Sequence, residues 1–565
     1  MPPTHKILNI AAPDFKLQET LSKELGVSKI FAQILINRGI KSSDQARDFL
    51  DVKLESLLDP YLLQDMDKAV GLIKKARENK EKVLVFGDYD VDGLTALSLT
   101  KDTLTKAGMH VEHYLPHRVK EGYGLNKNIT QIAKEKNIKL LITVDCGTNS
   151  QDTIKELRRQ GIEVIITDHH EPLNCEAGNF ASAIINPKMN NPRYGYRDLA
   201  GVGVAYKLCQ ALSGSLLFEE LDLVSLGTIA DVVPLTGENR VIVKEGLSRL
   251  LHTKKVGLRA LIESSGISNK KINTTFVSFV LGPRINASGR IDTAEVALAL
   301  LLSQEEGKAK ELAKVVETHN RQRQRIESKI LEEAQDLIDR EINFKEHKIM
   351  VLAKEDWHPG VLGIVAAKLA DRFYRPTIII SLNERLCRGS GRSVKDFHLF
   401  QALVECKDFL ENFGGHSHAV GLVVTKERLQ DFKSAINRLA KEKLLAEDLI
   451  PHLDIDVSIA LSDLNTAIIE ELDDLEPFGA DNPGPLFYTP GLKLKGAPQV
   501  LGKNTLKFWV SDGKTTHQAV GFGLGYLKDS LIVADSFDLI YTPRIDDWQG
   551  EDNICLEFKD IILGR

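Results

Sequence analysis

Four short runs constrain this chain more than anything else in it: KVLVF at 82–86, KLLITV at 139–144, EVIIT at 163–167 and SAIIN at 182–186. None alternates polar with apolar residues, so each reads as a strand buried on both faces. Between them lie helix-compatible stretches such as GLTALSLTKDTLTKAG and SQDTIKELRRQG. Both end on glycine, a common residue at helix C-termini. Strand, turn and helix in repetition predict a parallel α/β sheet.

In such a sheet, ligands bind beyond the carboxyl ends of the strands. The first run is followed by GDYDVDG, which supplies Asp88, Asp90 and Asp92. Asp145 follows the second run, and Asp168, His169 and His170 follow the third. Asp231, in SLGTIADVVPL, ends a further apolar segment. Carboxylates crowded together raise each other's pKa and resist ionisation, so cations are expected among them. Carboxylate and imidazole donors without thiolate favour Mn²⁺ or Mg²⁺ over structural zinc. Two divalent metal ions side by side suit displacement at a phosphoryl centre, hence phosphodiester or phosphoanhydride hydrolysis. A lone DxDG is commonly a turn, and paired histidines are often surface residues. Their joint occurrence at successive strand ends carries the reading. Cys146 reads as a core thiol, since nothing around it suggests activation.

The remaining sequence divides by composition. Residues 1–75 read as short helices, and 76–304 as the first α/β lobe. Residues 305–341 lack proline and keep helical spacing, but 317–325 is almost wholly polar, as in a helix bridging domains through solvent. At 1.5 Å per residue this connector is on the order of 50 Å long. A second α/β lobe follows at 342–450, and TLKFWVSDGKTTHQAVGF marks a β-barrel at 451–565 with a hairpin around a D-G turn. The fold class is therefore α/β: a parallel-sheet lobe joined by a long helix to a second α/β lobe, plus a C-terminal β-barrel.

A net charge of −6 excludes a polycation, so any nucleic acid must be held by local basic patches. Cysteines 146, 175, 209, 387, 406 and 555 form no C-x-x-C pair, and the N-terminus lacks a secretory pattern. With no apolar run long enough to span a membrane, a cytoplasmic protein is expected.

In this order, DYDVDG, DCG, DHH and DVVP resemble the four motifs of the DHH phosphoesterase superfamily. LGPRINASGR, WHPGVLGIVAAKL, RGSGRS, NFGGHSHAVGL and EPFGADNP are similar to segments of its bacterial single-strand DNA exonucleases. The resemblance covers about residue 45 to the C-terminus. It implies a DHH lobe, a DHH-associated lobe and an OB-like barrel. The activity implied is metal-dependent 5′→3′ exonucleolysis of single-stranded DNA, in recombination and repair. Asp90 is then expected to bind one metal ion, Asp92, His169 and Asp231 the other, and Asp145 both. His170 is expected at the scissile phosphate, with Asp168 fixing the tautomer of His169. Phe86 stands where related pyrophosphatases carry another histidine, and Asp88 is expected to compensate.

RGSGRS offers Arg388, Ser390 and Arg392 among glycines, so that backbone N–H groups and guanidinium forks could approach a phosphate. By resemblance, Arg118, Ser390 and Arg392 form a pocket for the 5′ phosphate, and Arg284, Arg290, His358 and His416 line the cleft. Trp509 shares a strand face with Lys507, which suits base stacking, although burial against a neighbouring lobe would suit it equally. The resemblance also implies single-strand binding protein and a RecQ-type helicase as partners; a monomer is expected because one chain already supplies a full cleft. Two alternatives are a phosphodiesterase of oligoribonucleotides or cyclic dinucleotides and a non-catalytic single-strand binder. The barrel and connector argue against the first, and the intact ligand set against the second.

Overall fold

The computed structural model describes residues 6–172, 180–189, 192–266, 272–383, 385–395, 397–502, 504–546 and 553–564. Cys175 lies outside them. The chain divides into two compact units: Leu54–Val233 with Glu238–Pro451, and Lys6–Lys53 with Pro234–Gly237 and His452–Arg565.

The larger unit begins with a five-stranded, all-parallel sheet. Its order is Val111–Tyr114, Val83–Gly87, Leu140–Val144, Glu163–Thr167, Ala183–Ile185. Val83–Gly87 and Leu140–Val144 are buried along their whole length, as unbroken apolar runs require. The chain starts on Val83–Gly87, adds a strand on one side, then crosses to the other. The topological switch point therefore falls between Val83–Gly87 and Leu140–Val144. Gly87, Val144 and Thr167 share one row of the ladder, so Asp88, Asp145 and Asp168 leave the sheet at one level.

The connector is a single helix, Glu306–Glu341, of 36 residues. Its polar centre turns one face to the protein interior and leaves Thr318, Arg321, Gln322, Gln324 and Arg325 exposed to solvent. Asn320, Arg323 and Glu327 are buried, and Glu317 pairs with Arg284 at 2.9 Å. Arg323 bonds Asn320 and Glu327 from one turn to the next. A buried polar network carries no hydrophobic signature, so the sequence pattern alone misplaced this face.

The second lobe has a mixed sheet ordered Asn412–Gly415, Ala419–Thr425, Leu386–Arg392, Thr377–Leu382, Met350–Glu355, with only the last pair parallel. RGSGRS is an interior strand here, paired on both sides, so its amide groups belong to the ladder and not to a ligand. Cβ atoms at Gly389 or Gly391 would press into Ile380, Leu422, Leu399 and Val420. The glycines serve the core on one face; Arg388, Ser390 and Arg392 project from the other.

In the smaller unit, Phe487–Leu501, Thr505–Ser511, Thr516–Gly521, Asn553–Leu563 and Phe537–Asp546 close into a barrel through pairing of the first with the last. Phe31, Ile34, Leu35 and Ala46 from the N-terminal helices share a core with Phe487, Leu506, Phe508 and Phe558. The strand Ile7–Ile10, paired in parallel with His452–Ile455, was not legible in the sequence. Among the described residues no helix is long and apolar enough to cross a membrane.

Candidate metal centre

Asp90 caps the helix Val91–Lys106, accepting from Gly93 N, and that helix carries Asp92 in its first turn. Both Asp92 oxygens accept from the amides of Gly201 and Val202, at 2.6 and 2.7 Å, which open the helix Gly201–Ser213. A helix N-terminus holding a carboxylate fixes the side chain without neutralising it fully. Burial, then the charge of Asp90, pushes the Asp92 pKa up to about 7 against those two bonds. Asp145 sits in the left-handed region at φ 59°, and a Cβ on Gly201 would lie 2.5 Å from its Oδ1. Only glycine permits that approach. Asp231 ends the helix Leu221–Ala230 and is followed by Val232 at φ 62°, a strained conformation for a β-branched residue.

Three ligand groups result, each with donor atoms within 4.8 Å of one another: Asp88, Asp90, Asp145; Asp92, His169, Asp231; and Asp145, His169, His170. His169 Nε2 lies 3.2 Å from Asp145, 3.5 Å from Asp231 and 3.8 Å from Asp92 oxygens. Burial, then the charge of His170, pushes the His169 pKa down to about 3, so its ring is neutral. Burial and mutual repulsion raise the carboxyls of Asp88, Asp145 and Asp231 well above the usual range.

Whether divalent ions fit can be judged from the donors themselves. Asp88 Oδ1, Asp145 Oδ1, Asp231 Oδ2 and both nitrogens of His169 are buried without a hydrogen-bond partner. Orphaned acceptors converging on one space, all oxygen or imidazole, are what Mn²⁺ or Mg²⁺ would satisfy. The expected ligands Asp90, Asp92, Asp145, His169 and Asp231 are thus brought together, with Asp88 beside Asp90. Phe86 is buried in the sheet and stacks on Tyr114, where it can ligate nothing.

Asp168 departs from expectation. It does not orient the His169 ring; its Oδ1 accepts from His170 Nδ1 at 2.8 Å and from the amides of His169 and His170. Burial opposes a charge on His170, but the bond and charge of Asp168, with Asp88 and Asp90 behind, raise its pKa. Asp168, despite its own burial, is held well below the carboxylate range by His170. The hydroxyl of exposed Tyr123 lies 2.9 Å from His170 Nδ1, and the His416 ring lies 6.2 Å from that of His170. His416 stands in the turn between two strands of the second lobe.

Arginines gather beside the acids. Arg118 covers the Tyr89 ring at 4.7 Å. Burial first, then the charges of Arg118, Arg392 and Arg323, pushes the Arg290 pKa down to about 9. A guanidinium does not give up its proton, so this strain is a demand for an anion. Among the described residues no carboxylate lies within 4.0 Å of Arg118, Arg290 or Arg392. Ser390 Oγ donates to Val420 O, and Arg392 NH1 is 3.5 Å from it. Arg290 also bonds Gly360 O, next to His358, whose Nδ1 accepts from Gly360 N. Arg388 bonds Val119 O and so ties the lobes. Arg284 pairs with Glu317 and also bonds Val280 O. Trp509, half exposed on the outward face of the barrel, pairs across the sheet with Lys495 and Gln518.

Sequence reasoning missed Arg323, whose charge acts on Arg290, and Tyr123, beside His170. The polar run NRQR inside an otherwise regular helix was the available signal for Arg323.

Known proteins resemble the chain along its length. It matches the family described as the DHH family, N-terminal domain, over residues 82–228, the DHHA1 domain over 346–442 and the RecJ OB domain over 455–560. It is 38% identical over 559 residues to the single-stranded-DNA-specific exonuclease RecJ of Bacillus subtilis, covering 98% of this chain and 71% of that one. The crystal structure of RecJ in complex with Mn²⁺ from Thermus thermophilus superposes with a TM-score of 0.85 at 28% identity, over 99% of this chain and 80% of that. The Mg²⁺ complex from the same organism gives 0.79 at 27% identity, over 99% and 79%. With its ligand clusters, its arginine pocket and its barrel in the family's order, the chain belongs to the RecJ family of the DHH proteins.

Proposed function

We propose that this chain removes nucleotides one at a time from the 5′ end of single-stranded DNA, using two divalent metal ions, Mn²⁺ or Mg²⁺. The observation that carries the reading is the adjacency of an unsatisfied carboxylate–imidazole cluster to arginines that, among the described residues, have no carboxylate within 4.0 Å. Asp88, Asp90 and Asp145 would hold one ion, and Asp92, His169 and Asp231 the other, sharing Asp145. When bound, the ions supply positive charge to the phosphoryl oxygens and acidify water for attack. The relatives support this, since they are named for single-strand specificity and for complexes with Mn²⁺ and Mg²⁺.

The chain's own residues do the rest. Arg118, Ser390, Arg392 and Arg290 would take the terminal phosphate, which decides which end enters. His170, whose protonated form Asp168 favours, would give its proton to the departing 3′ oxygen of the terminal nucleotide. Breaking that P–O3′ bond leaves a new 5′ phosphate on the shortened strand, so each turnover regenerates the group the arginines read. On the barrel, Trp509 between Lys495 and Gln518 offers a surface on which any base can stack.

A strand-specific enzyme needs unwound DNA, so a RecQ-type helicase and single-strand binding protein are the proposed partners. The setting is the bacterial cytoplasm, during recombination and repair. One chain holds the whole ligand set and acts as a monomer. The test uses 5′-phosphorylated single strand, the same strand as blunt duplex, and RNA, each with Mn²⁺ or chelator. Mononucleotides released from the 5′ end of the single strand are expected. Equal degradation of duplex, or activity in chelator, would sink the reading.

A further inference from the structure

Two cationic poles flank the ligand cluster. Arg118 and Arg290 act on Asp88 and Asp90 at one side. Lys188 is at the other, and its charge is felt by His169, Asp231 and His416. These three residues come from a strand end, a helix end and the second lobe, and they meet only at the mouth of the cluster.

Lys188 is held there firmly. Its amide donates to Asn186 Oδ1, and Asn186 Nδ2 donates to His170 O at 2.9 Å and to Thr148 Oγ1 at 3.0 Å. The backbone is therefore pinned to the same loop that carries the histidine pair. The side chain is 21% exposed, and its Nζ meets Glu171 Oε1 at 3.6 Å. That contact is long, and the Glu171 side chain is itself 60% exposed, so the ammonium is only loosely satisfied. Asn149 holds Glu171 by its carbonyl, which leaves the carboxylate beside Lys188.

If the terminal phosphate occupies the arginine pole and the scissile one lies over Asp145, the strand leaves toward His169 and Asp231. We propose that Lys188 binds the backbone phosphate immediately 3′ of the scissile one, with Glu171 holding the ammonium in place until the strand arrives. The proposal rests on the exonuclease reading above. It gives each substrate phosphate its own cation: arginines for the first, the ligand cluster for the second, Lys188 for the third.

Short substrates separate these roles. A 5′-phosphorylated dinucleotide has only the terminal and scissile phosphates; a trinucleotide adds the third. With Mn²⁺, Lys188→Ala should lower the trinucleotide-to-dinucleotide ratio of kcat/KM about five-fold. Lys188→Gln, which keeps the chain length, should give the same fall, and Lys188→Arg should restore the ratio. Glu171→Gln frees the ammonium and should raise the ratio. With longer single strands, the slope of log KM against log salt should shrink by about 0.7 in Lys188→Ala, the share of one phosphate contact. Equal losses on both lengths, or an unaltered ratio in an active enzyme, overturn the proposal alone. A wild-type chain inert on both substrates overturns the exonuclease reading and this proposal with it.

Discussion

The Asp168 carboxylate accepts a hydrogen bond from His170 Nδ1 at 2.8 Å, while both ring nitrogens of the adjacent His169 have none. Two neighbouring histidines are thereby pushed in opposite directions. His169 is neutral, with a lone pair free for a cation, and His170 is biased toward its protonated form.

Replacing Asp168 tests that division. A group that must be protonated loses function as pH rises through its pKa, and Asp168 raises the pKa of His170. Asp168→Asn should move the alkaline limb of the kcat profile to lower pH and reduce kcat about 100-fold. The Mn²⁺-induced rise in Tm should survive, since the Asp168 side chain contributes to none of the three ligand groups.

The crowded carboxylates make a prediction about pH and stability. Asp88, Asp145 and Asp231 have pKa values raised by folding, and Asp92 stands at about 7. Such groups favour the fold while protonated and lose that contribution as pH rises toward 7 and beyond. Metal-free protein should therefore lose Tm from about pH 5 to about pH 8, a window that opens just above the ordinary carboxylate value and closes just past the Asp92 pKa of about 7. Divalent ions offset the repulsion, so the Tm gain on adding Mn²⁺ should be larger at about pH 8 than at about pH 6 by scanning calorimetry.

Asp145→Ala removes a residue that belongs to two of the three ligand groups. Turnover should fall on the order of 1,000-fold or more. Metal-free Tm should rise at about pH 8, because one buried charge among like charges is gone, and the Mn²⁺ increment should shrink. A rise in stability with loss of activity is the signature to look for.

Gly201→Ala places a methyl 2.5 Å from Asp145 Oδ1 and displaces it. The expected stability loss is about 1–3 kcal/mol for an overfilled site. Mn²⁺ affinity by calorimetric titration should drop, although no ligand has been changed.

Arg290 is buried among arginines, with Asp90 the acid whose charge opposes them. Arg290→Met should leave the fold at least as stable while raising KM for 5′-phosphorylated strands about tenfold. A 5′-hydroxyl strand should be affected less, as measured by initial rates on both substrates.

The clustering of the candidate ligands was legible because the apolar runs fix strand positions and the ladder row Gly87, Val144, Thr167 then fixes the level of the following acids. What stayed hidden depended on three-dimensional polar partnerships. Arg323 and Asn320 gave a polar stretch that looks the same whether it faces water or a buried network. RGSGRS has the glycines of a phosphate loop, but they make room for the apolar Ile380 and Leu422, partners that sequence does not show. The role of Asp168 turned on which of two adjacent rings swings toward it, and no spacing rule encodes that.

The smaller unit is assembled from stretches far apart in the chain, with Ile7 opposite His452 and Phe31 in one core with Phe558. During synthesis the early helices must keep their apolar faces waiting until the barrel strands emerge. A chain cut short before Asn553–Leu563 would present an unfinished barrel and bare helices to the cell's quality control, whatever the state of its metal centre.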